Sequence, residues 1–80
     1  MKELKDLMIK LFRTKPYTIE RYNLVKQVEQ KEIELKVYHY AYGLDIKNKK
    51  VIIDIQAKVD GLYQTIETYT IDNIKIWERV

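Results

Sequence analysis

Tyr38, Tyr40 and Tyr42 occupy alternate positions of one segment, and Tyr63, Tyr69 and Trp77 recur in the segments that follow. Alternate residues of a β-strand share one face. These rings are therefore expected on a single sheet surface, with Lys36, Lys50, Lys58, Lys75 and Arg79 among them and Lys47 and Lys49 on an adjoining loop. Rings interleaved with cations suit two chemistries. Single-stranded nucleic acid stacks its bases on the rings while the cations meet phosphates. A protein partner uses the same residue types as stiff, amphipathic anchors. A plainer account is that Tyr and Trp favour strands and stabilise sheets through cross-strand pairs. Glu34, Asp54 and Glu67 are expected on the same surface, where carboxylates repel a phosphate backbone and help to align a protein. The balance favours a protein partner.

Catalytic groups are scarce. His39 is the one histidine, serine and cysteine are absent, and two glycines cannot build a phosphate-cradling loop. His39 lies at an apolar position of its segment. As a functional residue it would be a buried base or pH switch; the plainer reading is a core or edge histidine with one backbone partner. Asp54 and Glu67, if they meet across strands, would share a proton or hold a cation. No third ligand accompanies them, and Lys58 or Lys75 can balance them as solvated carboxylates. A non-enzymatic protein without metal or cofactor is expected.

Eighty residues provide for one small domain, spanning 1–80. Hydrophobic residues make up 46% and charged residues 34%, a composition that folds. Fifteen basic against twelve acidic residues give a net charge of +3, interspersed rather than blocked, which is only mildly basic. Charges interrupt the apolar residues of Met1 to Phe12, so neither a signal peptide nor a membrane span is expected there and a cytoplasmic location is.

Leu4, Leu7, Met8 and Leu11 recur at helical spacing, and Pro16 cannot continue that pattern, which predicts a helix over 3–13. Its apolar stripe covers either the domain's own core or a membrane or partner groove, and a chain this short needs it for the core. Alternation predicts strands over 32–43 and 50–59, with further strands over 18–28, 62–70 and 74–79. Tyr17 to Val28 also fits a helical turn. Ile46-Lys47-Asn48 suits a three-residue hairpin loop with Asn48 left-handed, and Asp60-Gly61 a two-residue type I′ turn. Those registers put Leu62, Ile66, Ile74 and Ile76 inward with the odd-numbered apolar residues of the two clear strands, and put Tyr69 outward.

The fold expected is α+β, with the N-terminal helix packed on an antiparallel meander of four to five strands. Five strands present a face about 24 Å across, whereas the helix is about 16 Å long and 10 Å wide. The remainder must curl into a small SH3-like or Sm-like barrel or be buried by a second subunit, which makes a homodimer expected. The function expected is that of a protein-interaction module such as a small inhibitor, adaptor or subunit, a class that includes small phage and plasmid proteins. The alternative is a single-stranded nucleic-acid-binding protein using the same tyrosines.

Overall fold

Leu4, Met8 and Leu11 form the buried stripe of α1 (Lys2–Arg13) in a computed structural model that describes residues 1–76. Leu7 is only partly buried. Thr14 leaves the helix in an extended conformation two residues before Pro16. The apolar stripe thus faces the core rather than solvent, packing on α2 (Ile19–Leu35) and on the sheet.

This second helix replaces the strand expected over 18–28 and the first residues of the one expected over 32–43. Thr18 caps it by accepting the Arg21 backbone N–H on its side-chain oxygen at 3.2 Å. The stretch from Lys26 to Glu34 is dominated by Lys, Gln and Glu, all strong helix formers. Lys36 ends the helix in the left-handed region, φ 57° and ψ 46°, its N–H directed at the Glu32 and Ile33 carbonyls. The alternation of Ile33, Leu35 and Val37 therefore straddles a helix end. Ile33 and Leu35 remain exposed on α2, and Val37 alone of the three enters the core.

Three strands follow: β1 (Val37–Asp45), β2 (Lys50–Val59) and β3 (Leu62–Ile71), antiparallel in the order β1-β2-β3. Among the described residues the sheet is open, with three strands rather than four or five, and is not a barrel. Asn73 is left-handed as expected, at φ 53°, and Ile74 turns inward to be buried. Ile74 to Ile76 nevertheless form no strand, and the rest of the strand expected over 74–79 lies outside the described residues. Three strands span about 14 Å. The two helices suffice for much of that width, which removes the shortfall that called for a barrel or a second subunit.

Register decides which residues share a face. Val37, His39 and Ala41 pair with Ala57, Ile55 and Ile53, so the odd-numbered residues of β1 and β2 share a face as expected. A register shift between Tyr42 and Asp45 then carries the turn one residue along, so that Lys49, at φ 53°, is left-handed in place of Asn48. The Asp45 carboxylate holds this turn by accepting from Asn48 N at 3.0 Å and Nδ2 at 2.8 Å. These bonds keep the Asp45 carboxyl below its usual range. Gly43, within the shift, has φ 60°, and a Cβ there would lie 3.1 Å from Ile52 Cδ1.

Asp60 and Gly61 both have positive φ, and Val59 pairs with Leu62 across the expected two-residue turn. Further along, Gln56 pairs with Thr65 but Ile55 pairs with Glu67, leaving Ile66 as a bulge. One extra residue reverses the facing of everything after it. Tyr69 and Ile71 consequently point into the core, 6% and 1% exposed, while Ile66 stays 43% exposed. Tyr69 therefore corrects the expected outward placement and Ile66 the inward one. Leu62 is also exposed, because the β2–β3 hairpin extends past the helices in a molecule measuring 47 × 25 × 19 Å.

Two arginines fasten the helices to the chain beyond β3. Arg21 donates to the Thr14 carbonyl at 2.8 Å and the Lys75 carbonyl at 3.2 Å, and lies over the Phe12 ring. Arg13 meets the Asp72 carboxylate at 2.5 Å. Lys31 links the helices through Glu3 at 2.7 Å.

Candidate functional site

The even-numbered residues of β1 and β2 face away from both helices, and this surface holds Tyr38, Tyr40, Tyr42 and Tyr63. Their exposures of 58%, 60%, 39% and 57% contrast with the buried residues on the opposite face. Tyr38 and Tyr63 meet edge to face at 5.4 Å, and Tyr40 and Tyr42 stack at 5.9 Å with planes 23° apart. Four partly exposed rings are thus held in two ordered pairs.

Asp54 lies among them on β2. Its carboxylate accepts from Thr68 Oγ1 at 2.9 Å, Tyr42 Oη at 3.2 Å and Thr65 Oγ1 at 3.4 Å. Partial burial, followed by the Asp54 hydrogen bond, pushes the Tyr42 phenol up, and the hydrogen bond with Tyr63 does the same for Tyr38. Lys58 extends over the Tyr63 ring at 6.0 Å. Beside Tyr38 and Tyr63, a groove of about 640 Å³ opens toward α2, walled by Ile33 and Val37 and rimmed by Glu29, Glu32, Lys36 and Lys58.

Of the residues expected at the site, the structure brings Tyr38, Tyr63 and Lys36 together at this groove and sets Tyr40 and Tyr42 next along β1. Lys36 is there as the helix terminator rather than as a strand residue. Lys47 and Lys49 lie in the β1–β2 turn, with Lys50 at the start of β2. Lys75 leaves the cluster: its N–H donates to the Phe12 carbonyl, which places it beside the helices. Tyr69 leaves too, buried beneath Lys5 with its hydroxyl donating to Glu67. Burial and that carboxylate push its phenol above the usual tyrosine range. Trp77 and Arg79 lie outside the described residues.

The expected carboxylate pairing does not form. The bulge turns Glu67 to the helix-facing side, Asp54 pairs with Thr68, and Glu34 lies on α2 beside Lys31. His39 is an edge residue whose partner is a carboxylate rather than a backbone group. Its Nδ1 lies 2.9 Å from Glu32 Oε1, and its backbone N–H donates to Glu32 Oε2 at 3.1 Å. Among the described residues no cluster of three or more His, Cys, Asp or Glu is arranged to hold a metal ion, and no helix is long and apolar enough to cross a membrane.

Sequence reasoning missed Glu29, Glu32 and Ile33 as groove residues, and Thr65 and Thr68 as partners of Asp54. Thr18 as a helix cap, followed by the Lys, Gln and Glu run, was the signal for the first group. No comparable signal marks the threonines, whose facing depends on the bulge. Comparison of the chain with protein-family models, curated proteins and solved structures finds no match.

Proposed function

We propose that the protein is a non-enzymatic binding module whose uncovered tyrosine face takes a protein partner, a second copy of itself included. The observation that supports this is the arrangement of four partly exposed tyrosines on one sheet face around the Asp54 carboxylate. Paired rings offer large, stiff contact area at little entropic cost, as interface anchors do. Two features weigh against the nucleic-acid alternative. A phosphate backbone crossing the tyrosines would meet Asp54, and Lys75 and Tyr69 are absent from the face.

Anisotropy titrations with a single-stranded oligonucleotide at two salt concentrations test the choice. Binding is expected to be weak and equal for wild type, Tyr40→Ala and Tyr63→Ala. Tight, salt-sensitive binding lost in either variant would replace this reading with base stacking. Proteins retained by the wild type are expected to be lost by both variants, and equal retention would leave the tyrosines as sheet packing only.

A further inference from the structure

The groove between α2 and the sheet joins an apolar floor to a charged rim. Ile33, 72% exposed, lies beside Val37, Tyr38 and Tyr63. A hollow of about 640 Å³ walled by such side chains is of the size that holds a bound side chain or a small molecule.

The charges on the rim are segregated. Glu29 and Glu32 stand on α2, whereas Val37 pairs with Ala57, so that Lys36 and Lys58, each one position further on, share one end of the β1–β2 ladder. Both carboxylates have partners. Glu32 accepts from the His39 backbone N–H and lies 2.9 Å from the ring Nδ1, and Glu29 faces Lys26 at 4.0 Å. The lysines lack them: among the described residues neither Lys36 nor Lys58 forms an ion pair, and Lys58 only lies over the Tyr63 ring at 6.0 Å. The unbalanced charge of the groove is therefore positive, and the net charge of +3 has the same sign.

We infer that this groove takes an acidic, apolar segment of a protein partner, which seats an aliphatic or aromatic side chain on Ile33 and Tyr38 and a neighbouring carboxylate against Lys36 and Lys58. The inference rests on the proposed binding role and deepens it by naming the chemistry of the partner and the part of the surface that reads it. Charge complementarity selects the occupant. A cationic segment would meet two lysines that no carboxylate balances. A nucleic acid repeats its charge at every nucleotide and would bring phosphates to Glu29 as well as to the lysines, whereas one carboxylate placed at the lysine end avoids the acidic wall. A peptide fits better than a free fatty acid because the groove is open and Tyr40 and Tyr42 follow it along β1, leaving exposed surface on which a chain can continue.

Random peptides displayed on phage and panned on the full chain test this. Sequences with an apolar residue next to Asp or Glu should be enriched, and enrichment of basic sequences, or of none, overturns the inference. Added to the isotope-labelled wild type, the enriched peptides should shift the amide resonances of Ile33, Lys36 and Lys58, a readout that needs no variant to fold. Shifts confined to other residues overturn it. Lys36→Asn combined with Lys58→Gln should weaken binding about tenfold, asparagine being tolerated in the left-handed conformation of Lys36. Ile33→Ser, at an exposed position, should also weaken it about tenfold. Decanoate that shifts the same amides where no peptide does would overturn the assignment to a protein segment. Tyr40→Ala separates the inference from the broader reading, because Tyr40 lies on the tyrosine face but does not line the groove. Peptides lost by Tyr40→Ala yet kept by Ile33→Ser and by the double lysine variant would retain the tyrosine face as the binding surface and eliminate the groove.

Discussion

Tyr69 and Tyr40 belong to neighbouring layers of the same small sheet, yet one is 6% exposed and the other 60%. Tyr69 faces Leu4, Met8 and the β2 isoleucines as part of the core, its hydroxyl satisfied by Glu67. Tyr40 stacks on Tyr42 and leaves most of its surface exposed. The residue type is the same, and what differs is whether a helix lies over it. Stability is therefore concentrated on the helix-facing side and the proposed recognition on the other, so the two sides should respond oppositely to substitution.

The largest contrast is expected from truncating the two rings. Tyr69→Ala should destabilise by about 3 to 5 kcal/mol and Ile53→Ala, fully buried, by about 2 to 5 kcal/mol, as deletions that leave cavities do. Tyr40→Ala should stay within about 0.5 kcal/mol. Urea unfolding monitored by circular dichroism measures all three, and comparable losses at Tyr40 and Tyr69 would break the comparison. Arg21→Ala comes next, at about 1 to 3 kcal/mol, because its bonds to the Thr14 and Lys75 carbonyls help hold the helices against the chain beyond β3.

Alkaline pH sharpens the same contrast. The folded Tyr69 phenol is raised above its unfolded value of 10.0, so the folded state holds a proton that the unfolded chain releases. That stability is complete below the unfolded value and is lost as pH rises beyond it, by at most about 1.4 kcal/mol per pH unit for one group. Tyrosinate absorbance during a pH titration should show one phenol ionising only as the fold is lost. In Tyr69→Phe this late step should vanish. A small effect is also expected from deleting Ile66: pairing on both sides of the bulge becomes continuous, Tyr69 stays buried, and stability changes by less than about 1 kcal/mol. Exposure of Tyr69 in that variant, read from its fluorescence or exchange, would show that the bulge itself holds the register.

Much of the scaffold was legible locally. The stripe of Leu4, Met8 and Leu11 with Pro16 beyond it marks α1, Asp60-Gly61 specifies its turn, and the alternation from Val51 to Val59 marks β2. Each signal lies within a few residues of what it describes, and backbone sterics or one buried face are enough to enforce it. The tyrosines of β1 and Tyr63 were equally readable, because unbroken period two carries facing directly from order in the chain.

The remaining features depended on contacts between distant residues. Residues 17 to 28 fit both periodicities and 32 to 35 read as strand, and docking of Val28 against the core, with the Thr18 cap at one end and left-handed Lys36 at the other, selects the helix over Ile19–Leu35. The bulge at Ile66 gives no local notice, since its benefit is burial of Tyr69 and Ile71 beneath α1, a helix more than fifty residues earlier in the chain. The burial of Tyr69, against the exposure of the other sheet tyrosines, follows from that choice of register. A single-residue shift leaves composition unchanged while exchanging every side chain between water and core, so only the packed structure could decide it.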